Sequence, residues 1–242
     1  MEQNFDYINH YKIDAEEFDY FESKYGATLH DERRVHEFVF SQVNKNIDSI
    51  LDVGCGSAWI SSKYVPLNKK VYSLDISKKN IARALESCRS TKHNGIVADS
   101  FYLPFKKNSF DLVVACEIIE HVVSPDDFIK ALYKTVKPGG RLILSTPYKE
   151  ILRYYLCINC NKKTPVNAHI HSFDENIIKK IMYNCRINNY KQILFGNKIL
   201  IFIRTYIILK YFPFLLWKIV DQITNVFFNY PTHLLLVINK EK

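Results

Sequence analysis

Short apolar runs alternate with longer amphipathic stretches along most of this chain. Ile50-Leu51-Asp52-Val53, Lys70-Val71-Tyr72-Ser73-Leu74-Asp75, Gly95-Ile96-Val97-Ala98-Asp99-Ser100, Phe110-Asp111-Leu112-Val113-Val114 and Arg141-Leu142-Ile143-Leu144-Ser145 each read as a strand. Between them the spacing is helical. Ser77 is placed to cap a helix running to about Ser90, Pro125-Asp126-Asp127 opens another, and Pro138-Gly139-Gly140 marks the turn into the fifth strand. Tyr190 to Phe195 and Thr232 to Ile238 read as a sixth and a seventh strand. The alternation predicts an α/β fold, a doubly wound seven-strand mostly parallel sheet with helices on both faces.

Two segments stand outside that alternation. Residues 1–47 form an N-terminal segment in which Leu29, Val35, Phe38, Val39 and Val43 recur at helical spacing, which predicts a leading pair of helices packed on the sheet. Residues 199–230 form an insertion before the last strand, dense in Ile, Leu, Phe and Tyr and far longer than a hairpin loop. Arg204, Lys210 and Lys218 interrupt it, so it lacks the uncharged run of roughly 18 residues that a spanning helix needs. Those cations and Asp221 fall within about a third of a helical circumference, although Pro213 divides the segment into two helices. A cover packed on the domain's own surface is one reading; an interfacial membrane contact through 199–220, or a lipid-binding lid, is the other. The core then spans 48–198 and resumes at 231–242.

The chemistry starts at Asp52-Val53-Gly54-Cys55-Gly56, where the first strand meets the first helix. A dinucleotide turn needs a third glycine where this chain has Trp59, and Asp52 would repel a pyrophosphate. The same carboxylate suits a ligand carrying an ammonium and a sulfonium, which is S-adenosylmethionine. Asp75, with the adjoining Ile76, ends the second strand at about the separation from the first turn at which α/β folds place the acid for ribose hydroxyls. Asp99 with Ser100 ends the third.

These motifs, in this order over residues 48–148, resemble the class I S-adenosylmethionine-dependent methyltransferases of the type-11-like kind. The resemblance implies that Asp52, Gly54, Gly56, Asp75, Ile76, Asp99, Ser100 and Glu117 surround the cofactor, with Asp99 facing the adenine amino group, and that the last strand runs antiparallel. It implies methyl transfer, here to an oxygen, with the acceptor left open among small phenol, lipid-linked precursor, glycan and RNA end. A non-catalytic nucleotide- or partner-binding relative of the fold is the alternative.

Glu117, Glu120 and His121 are spaced to share one face of a helical turn. With His171 they resemble the Glu-x-x-Glu-His group of the ubiquinone-pathway O-methyltransferases and of RNA-end ribose 2′-O-methyltransferases, in which two Glu and two His hold a divalent cation, magnesium or manganese. Without a metal, Glu117 stays by the cofactor and His121, with Glu120, serves as general base. Cys157, Cys160 and His169 offer the ligand types of a zinc site, the other reading being ordinary thiols.

Composition narrows the partners. A net charge of +8 and a pI near 9.0 favour an anionic partner such as nucleic acid, an acidic glycan or a membrane surface, unless the cations are spread evenly over a solvated surface. Glu2 and Asp6 follow Met1 with no cationic or apolar signal region, so the expected site is cytoplasmic, with membrane-peripheral as the variant, and the six cysteines are expected as thiols.

Overall fold

The structure, a computed structural model, describes residues 6–242; residues 1–5 of the N-terminal segment lie outside the described residues. In chain order the first half contains α1 (Tyr7–Glu17), α2 (Gly26–Ser41), β1 (Ser49–Val53), α3 (Trp59–Tyr64), β2 (Lys70–Asp75), α4 (Lys78–Ser87), β3 (His93–Val97), β4 (Phe110–Cys116), α5 (Pro125–Thr135) and β5 (Val136–Pro147). The second half contains β6 (Tyr154–Leu156), β7 (Lys163–Pro165), α6 (Glu175–Cys185), β8 (Tyr190–Phe195), α7 (Lys198–Phe202), α8 (Tyr206–Leu209), α9 (Phe214–Phe227) and β9 (His233–Asn239).

Seven strands form one sheet in the order β3-β2-β1-β4-β5-β9-β8. β1 to β5 run parallel, and β9 pairs antiparallel with both β5 and β8, as the resemblance implied. Strand alternation divides the core between the two faces. Leu51, Val113, Leu142 and Leu236 pack with Phe128 and Leu132 of α5 and Met182 of α6. Their sequence neighbours Ile50, Leu112, Ile143 and Leu235 pack on the other side with Phe38 and Val39 of α2 and Ile60 of α3. Because the sheet is covered on both faces, its central strands read as continuous apolar runs. The order of connection reverses between β1 and β4, which opens a crevice at the carboxyl ends of the strands.

Local signals explain the boundaries. Ser77 Oγ accepts the N–H of Asn80 at 3.3 Å and Asp174 accepts those of Asn176 and Ile177, so both helices start where their caps stand. α4 stops at Ser87 rather than Ser90, and the third strand starts two residues earlier than expected and ends three earlier, at His93–Val97. Asp99 is therefore beyond the strand end, in the loop. The β6–β7 hairpin has no counterpart in the expected elements; Cys157 and Cys160 sit in its turn.

The insertion consists of three helices, α7, α8 and α9, with Pro213 at the N-cap of the last. Arg34 of α2 holds it down: the buried guanidinium donates to the carbonyls of Leu209 and Phe212, pairs with Glu37 at 2.6 Å and lies 4.8 Å from the Trp217 ring. Among the described residues no helix is long and apolar enough to cross a membrane.

Candidate active site

The turn after β1 is built on left-handed backbone. Gly54 and Gly56 have φ of 66° and 43°, and the N–H groups of Gly54 and Cys55 both reach the carbonyl of Leu74. A Cβ on Gly54 would lie 2.3 Å from Ile118 Cδ1, so glycine lets the loop after β4 approach the first turn. Asp52 is buried beneath this turn, one carboxylate oxygen without a hydrogen-bond partner, and burial with the nearby Asp75 pushes its pKa up to about 8. Asp75 is raised by burial too, although the N–H of Ser77 at 2.8 Å and the amide of Asn80 favour its charged form. A cation brought beside these two buried carboxyls would favour their charged forms. Trp59 stacks on His36 at 3.8 Å and packs edge-on against Phe40, so its indole belongs to the α2–α3 contact. The residue that stands where a dinucleotide turn has its third glycine is thus taken up in helix packing.

Asp99 is held from two sides. Phe101 N–H donates to one oxygen at 2.9 Å and the Tyr7 hydroxyl to the other at 2.5 Å. Tyr7 belongs to α1, and one turn later Tyr11 lies edge-on to His121 with ring centroids 5.7 Å apart. α1 thus reaches from the loop after β3 to the turn that carries His121. It is tied down by Lys79 Nζ donating to the Glu16 carbonyl, while Arg83 of α4 pairs with Asp19 just beyond it. The sequence showed these aromatics but not their targets.

Glu117, Glu120 and His121 do not lie on a helix. They occupy a turn between β4 and α5, with Glu117 at φ 52° and the His121 N–H donating to the Ile118 carbonyl. The expected single helical face is corrected accordingly: Glu117 accepts from Ser145 Oγ at 2.7 Å, whereas Glu120, 1% exposed, accepts from Thr146 Oγ1 at 3.0 Å. The second Glu120 oxygen has no hydrogen-bond partner and lies 3.9 Å from His121 Nε2.

His169, expected beside the cysteines, completes this group. Donor atoms of Glu120, His121 and His169 lie within 4.8 Å of one another. His169 Nδ1 contacts Glu150 at 2.5 Å, and His121 Nδ1 faces the Ala168 carbonyl at 3.3 Å. His171 is turned elsewhere, its Nε2 3.0 Å from the Val122 carbonyl. The choice between the two histidines is made by the loop: the Glu120 carbonyl accepts the N–H groups of Ile170 and His171, and Asn167 and Ala168 turn the chain through left-handed conformations. The expected grouping of Cys157 and Cys160 with His169 is not formed. Cys157 is instead lowered in pKa by the N–H groups of Cys160 and Asn159 within its own turn.

Burial drives His121 down to about 4, with His169 acting in the same direction, and drives Glu120 well above the usual carboxylate range, with Glu117 adding repulsion. A neutral imidazole beside a carboxyl whose charged form lacks a positive partner is a set of donors that could hold a divalent cation. A cleft of about 460 Å³ opens against this group, lined by Pro147, Tyr148, Glu150, Ile151, His169 and Lys198.

Strand ends, glycine turn and paired acids define a nucleotide-binding α/β domain of the methyltransferase type. Residues 51–144 match the family model described as a methyltransferase domain. The chain is 30% identical over 171 residues to the mitochondrial ubiquinone biosynthesis O-methyltransferase of Dictyostelium discoideum, covering 61% of this chain and 53% of that one. It is 35% identical over 130 residues to the ubiquinone biosynthesis O-methyltransferase of Colwellia psychrerythraea, covering 50% and 52%. The chain thus spans about half the length of these curated relatives. In fold it is similar to the Haemonchus contortus phosphoethanolamine N-methyltransferase 2 solved with phosphomonomethylethanolamine and S-adenosylhomocysteine, at a TM-score of 0.59 and 16% identity over 87% of this chain and 53% of that one. Over residues 51–144 the chain is thus similar to a methyltransferase domain, and it has the fold seen in S-adenosylmethionine-dependent methyltransferases.

Proposed function

We propose that this chain is an O-methyltransferase that binds S-adenosylmethionine between Asp52, Asp75 and Asp99 and passes its methyl group to a hydroxyl held beside His121. The observation that carries the reading is α1, whose Tyr7 and Tyr11 touch Asp99 and His121 and so roof the cofactor cradle and the acceptor group together. The identity to ubiquinone-pathway O-methyltransferases supports oxygen as the methylated atom.

Methyl transfer is an in-line displacement at a carbon already activated by the sulfonium, so the protein has to align an oxygen and dispose of its proton. Burial raises the pKa of Asp52 and Asp75, and a cationic ligand beside them draws them to the charged form that holds its ammonium and ribose. At the other end, Glu120, His121 and His169 fit a divalent cation, since Glu120 has a buried unpartnered oxygen and His121 is held in its neutral, ligating form. Magnesium or manganese bound there would lower the pKa of the acceptor hydroxyl. Without a metal, His121 is the base: Nδ1 is taken up at the Ala168 carbonyl and Nε2, on the side of Glu120, is left to accept the acceptor proton. Glu150 orients His169 from behind.

The test is incubation with radiolabelled S-adenosylmethionine and fractionated cell extract, following which fraction takes the label, before and after chelation. Label in a hydroxyl-bearing acceptor, lost on chelation and restored by magnesium or manganese, is the expected result. Tight cofactor binding with no label in any fraction would instead make the chain a binding relative of the fold.

A further inference from the structure

The insertion is packed with its polarity reversed. On α9 the inward side carries Trp217 and Asp221, the latter 1% exposed and accepting the Gly196 N–H, while Lys218 lies half-buried over the rings of Phe38 and Phe214. The outward side carries Leu215, Ile219, Ile223 and Val226 at the spacing of one helical face, with Val226 81% exposed. α7 and α8 continue the surface with Phe202, 85% exposed, and with Ile203 and Ile208. A helix that faces water on its outer side would show the opposite arrangement. So many large apolar side chains left exposed on one insertion mark a surface that meets an apolar medium.

Charge selects the medium. Between Lys198 and Tyr230 the chain has four cations and a single acid, and that acid, Asp221, is buried. Lys198, Arg204 and Lys210 are exposed around the apolar side chains, so the face offers positive charge and no exposed carboxylate. A second protein copy would bring the same cations against these, whereas anionic lipid headgroups would neutralise them. The helices are too short to span, which leaves them in the plane of the interface. The face also shares an edge with the cleft beside His169, because Lys198 opens α7 and lines that cleft. Arg153, which also lines that cleft, leads into the β6–β7 hairpin, which exposes Tyr155, Leu156 and Ile158 together with Lys162 and Lys163.

We infer that the outward face of α7, α8 and α9 docks in the plane of a membrane carrying anionic lipids, beside the mouth of the acceptor cleft. The docking does not depend on which acceptor is methylated, and it is read without an activity assay. The full chain is floated with vesicles of phosphatidylcholine alone and of phosphatidylcholine mixed with phosphatidylglycerol, at low and at raised salt. Binding to the mixed vesicles, weakened by salt, is expected. I219N/I223N, two exposed positions, should weaken it by roughly tenfold or more, and R204E/K210E by about fivefold per cation. Calorimetric titration of each variant with S-adenosylhomocysteine checks that the core is intact, and that titration stands or falls with the cofactor site alone. If the chain stays unbound with both vesicle types, or if sedimentation shows a dimer that I219N/I223N dissociates while vesicles recover no protein, the membrane assignment is overturned and, in the second case, another copy of the chain is the occupant.

Discussion

Replacing Asp221 by asparagine should make this protein more stable at alkaline pH. The carboxylate is buried under α9, accepts one N–H from Gly196 at 3.2 Å, and has its other oxygen without a hydrogen-bond partner. Desolvation raises its pKa from 3.8 to about 7, only partly opposed by the Gly196 and Asn225 hydrogen bonds and by His233. Between these two values the folded state keeps a proton that the unfolded chain has released. Stability therefore falls as pH rises through the window, and the loss is complete above the folded pKa. A shift of about 3 units at roughly 1.4 kcal/mol each sets a ceiling near 4 kcal/mol. Asparagine has the size of the protonated acid and cannot ionise, so the variant and the parent should converge near pH 4 and differ by about 2–4 kcal/mol at pH 8. Urea unfolding followed by circular dichroism across this range measures the gap. Parallel stability curves, or a variant that is weaker at pH 8, would refute the account of Asp221 as a buried charge without adequate compensation.

Asp75→Ala should weaken S-adenosylmethionine binding by about 1.5–3 kcal/mol through loss of charge-assisted ribose contacts; since Asp75 also holds the Ser77 N–H, Asp75→Asn separates helix capping from ligand binding, and unchanged calorimetric affinity in both would remove Asp75 from the site. His121→Ala should lower turnover by roughly 10²–10⁴-fold with cofactor affinity retained, and normal turnover in that variant would dismiss the acceptor group as assigned. Gly54→Ala should cost about 1–3 kcal/mol, combining a left-handed backbone with the clash against Ile118; adding Ile118→Ala should recover the clash but not the backbone strain, and thermal melts of the single and double variants measure the difference. Tyr7→Phe removes the hydroxyl bond to Asp99 and should speed dissociation of S-adenosylhomocysteine in stopped-flow measurements, an unchanged rate arguing that α1 is not a roof.

What could be read from the amino-acid order is what depends on neighbours along the chain. The parallel strands announce themselves because both of their faces are covered, so Ile50-Leu51 and Leu112-Val113-Val114 are apolar throughout. The acids at 52 and 75 stand at the ends of such strands, with Asp99 two residues beyond the third, and the cap at Ser77 acts within three residues of itself. Contacts made across the fold carry no such local mark. His169 and His171 differ by two residues, and only the left-handed turn at Asn167-Ala168 and the hydrogen bonds to the Glu120 carbonyl put the first beside His121 and the second on Val122. Tyr7 and Tyr11 are two aromatics among many until α1 lies over the strand ends. The helical phase of the insertion grouped Arg204, Lys210 and Lys218 with Asp221, but the segment folds as three helices: Asp221 and half-buried Lys218 turn inward on α9, Arg204 and Lys210 stay exposed, and the apolar side of α9 is left outside. Periodicity fixes which residues share a face, and only the surface that a face meets decides whether it points into the protein or out of it.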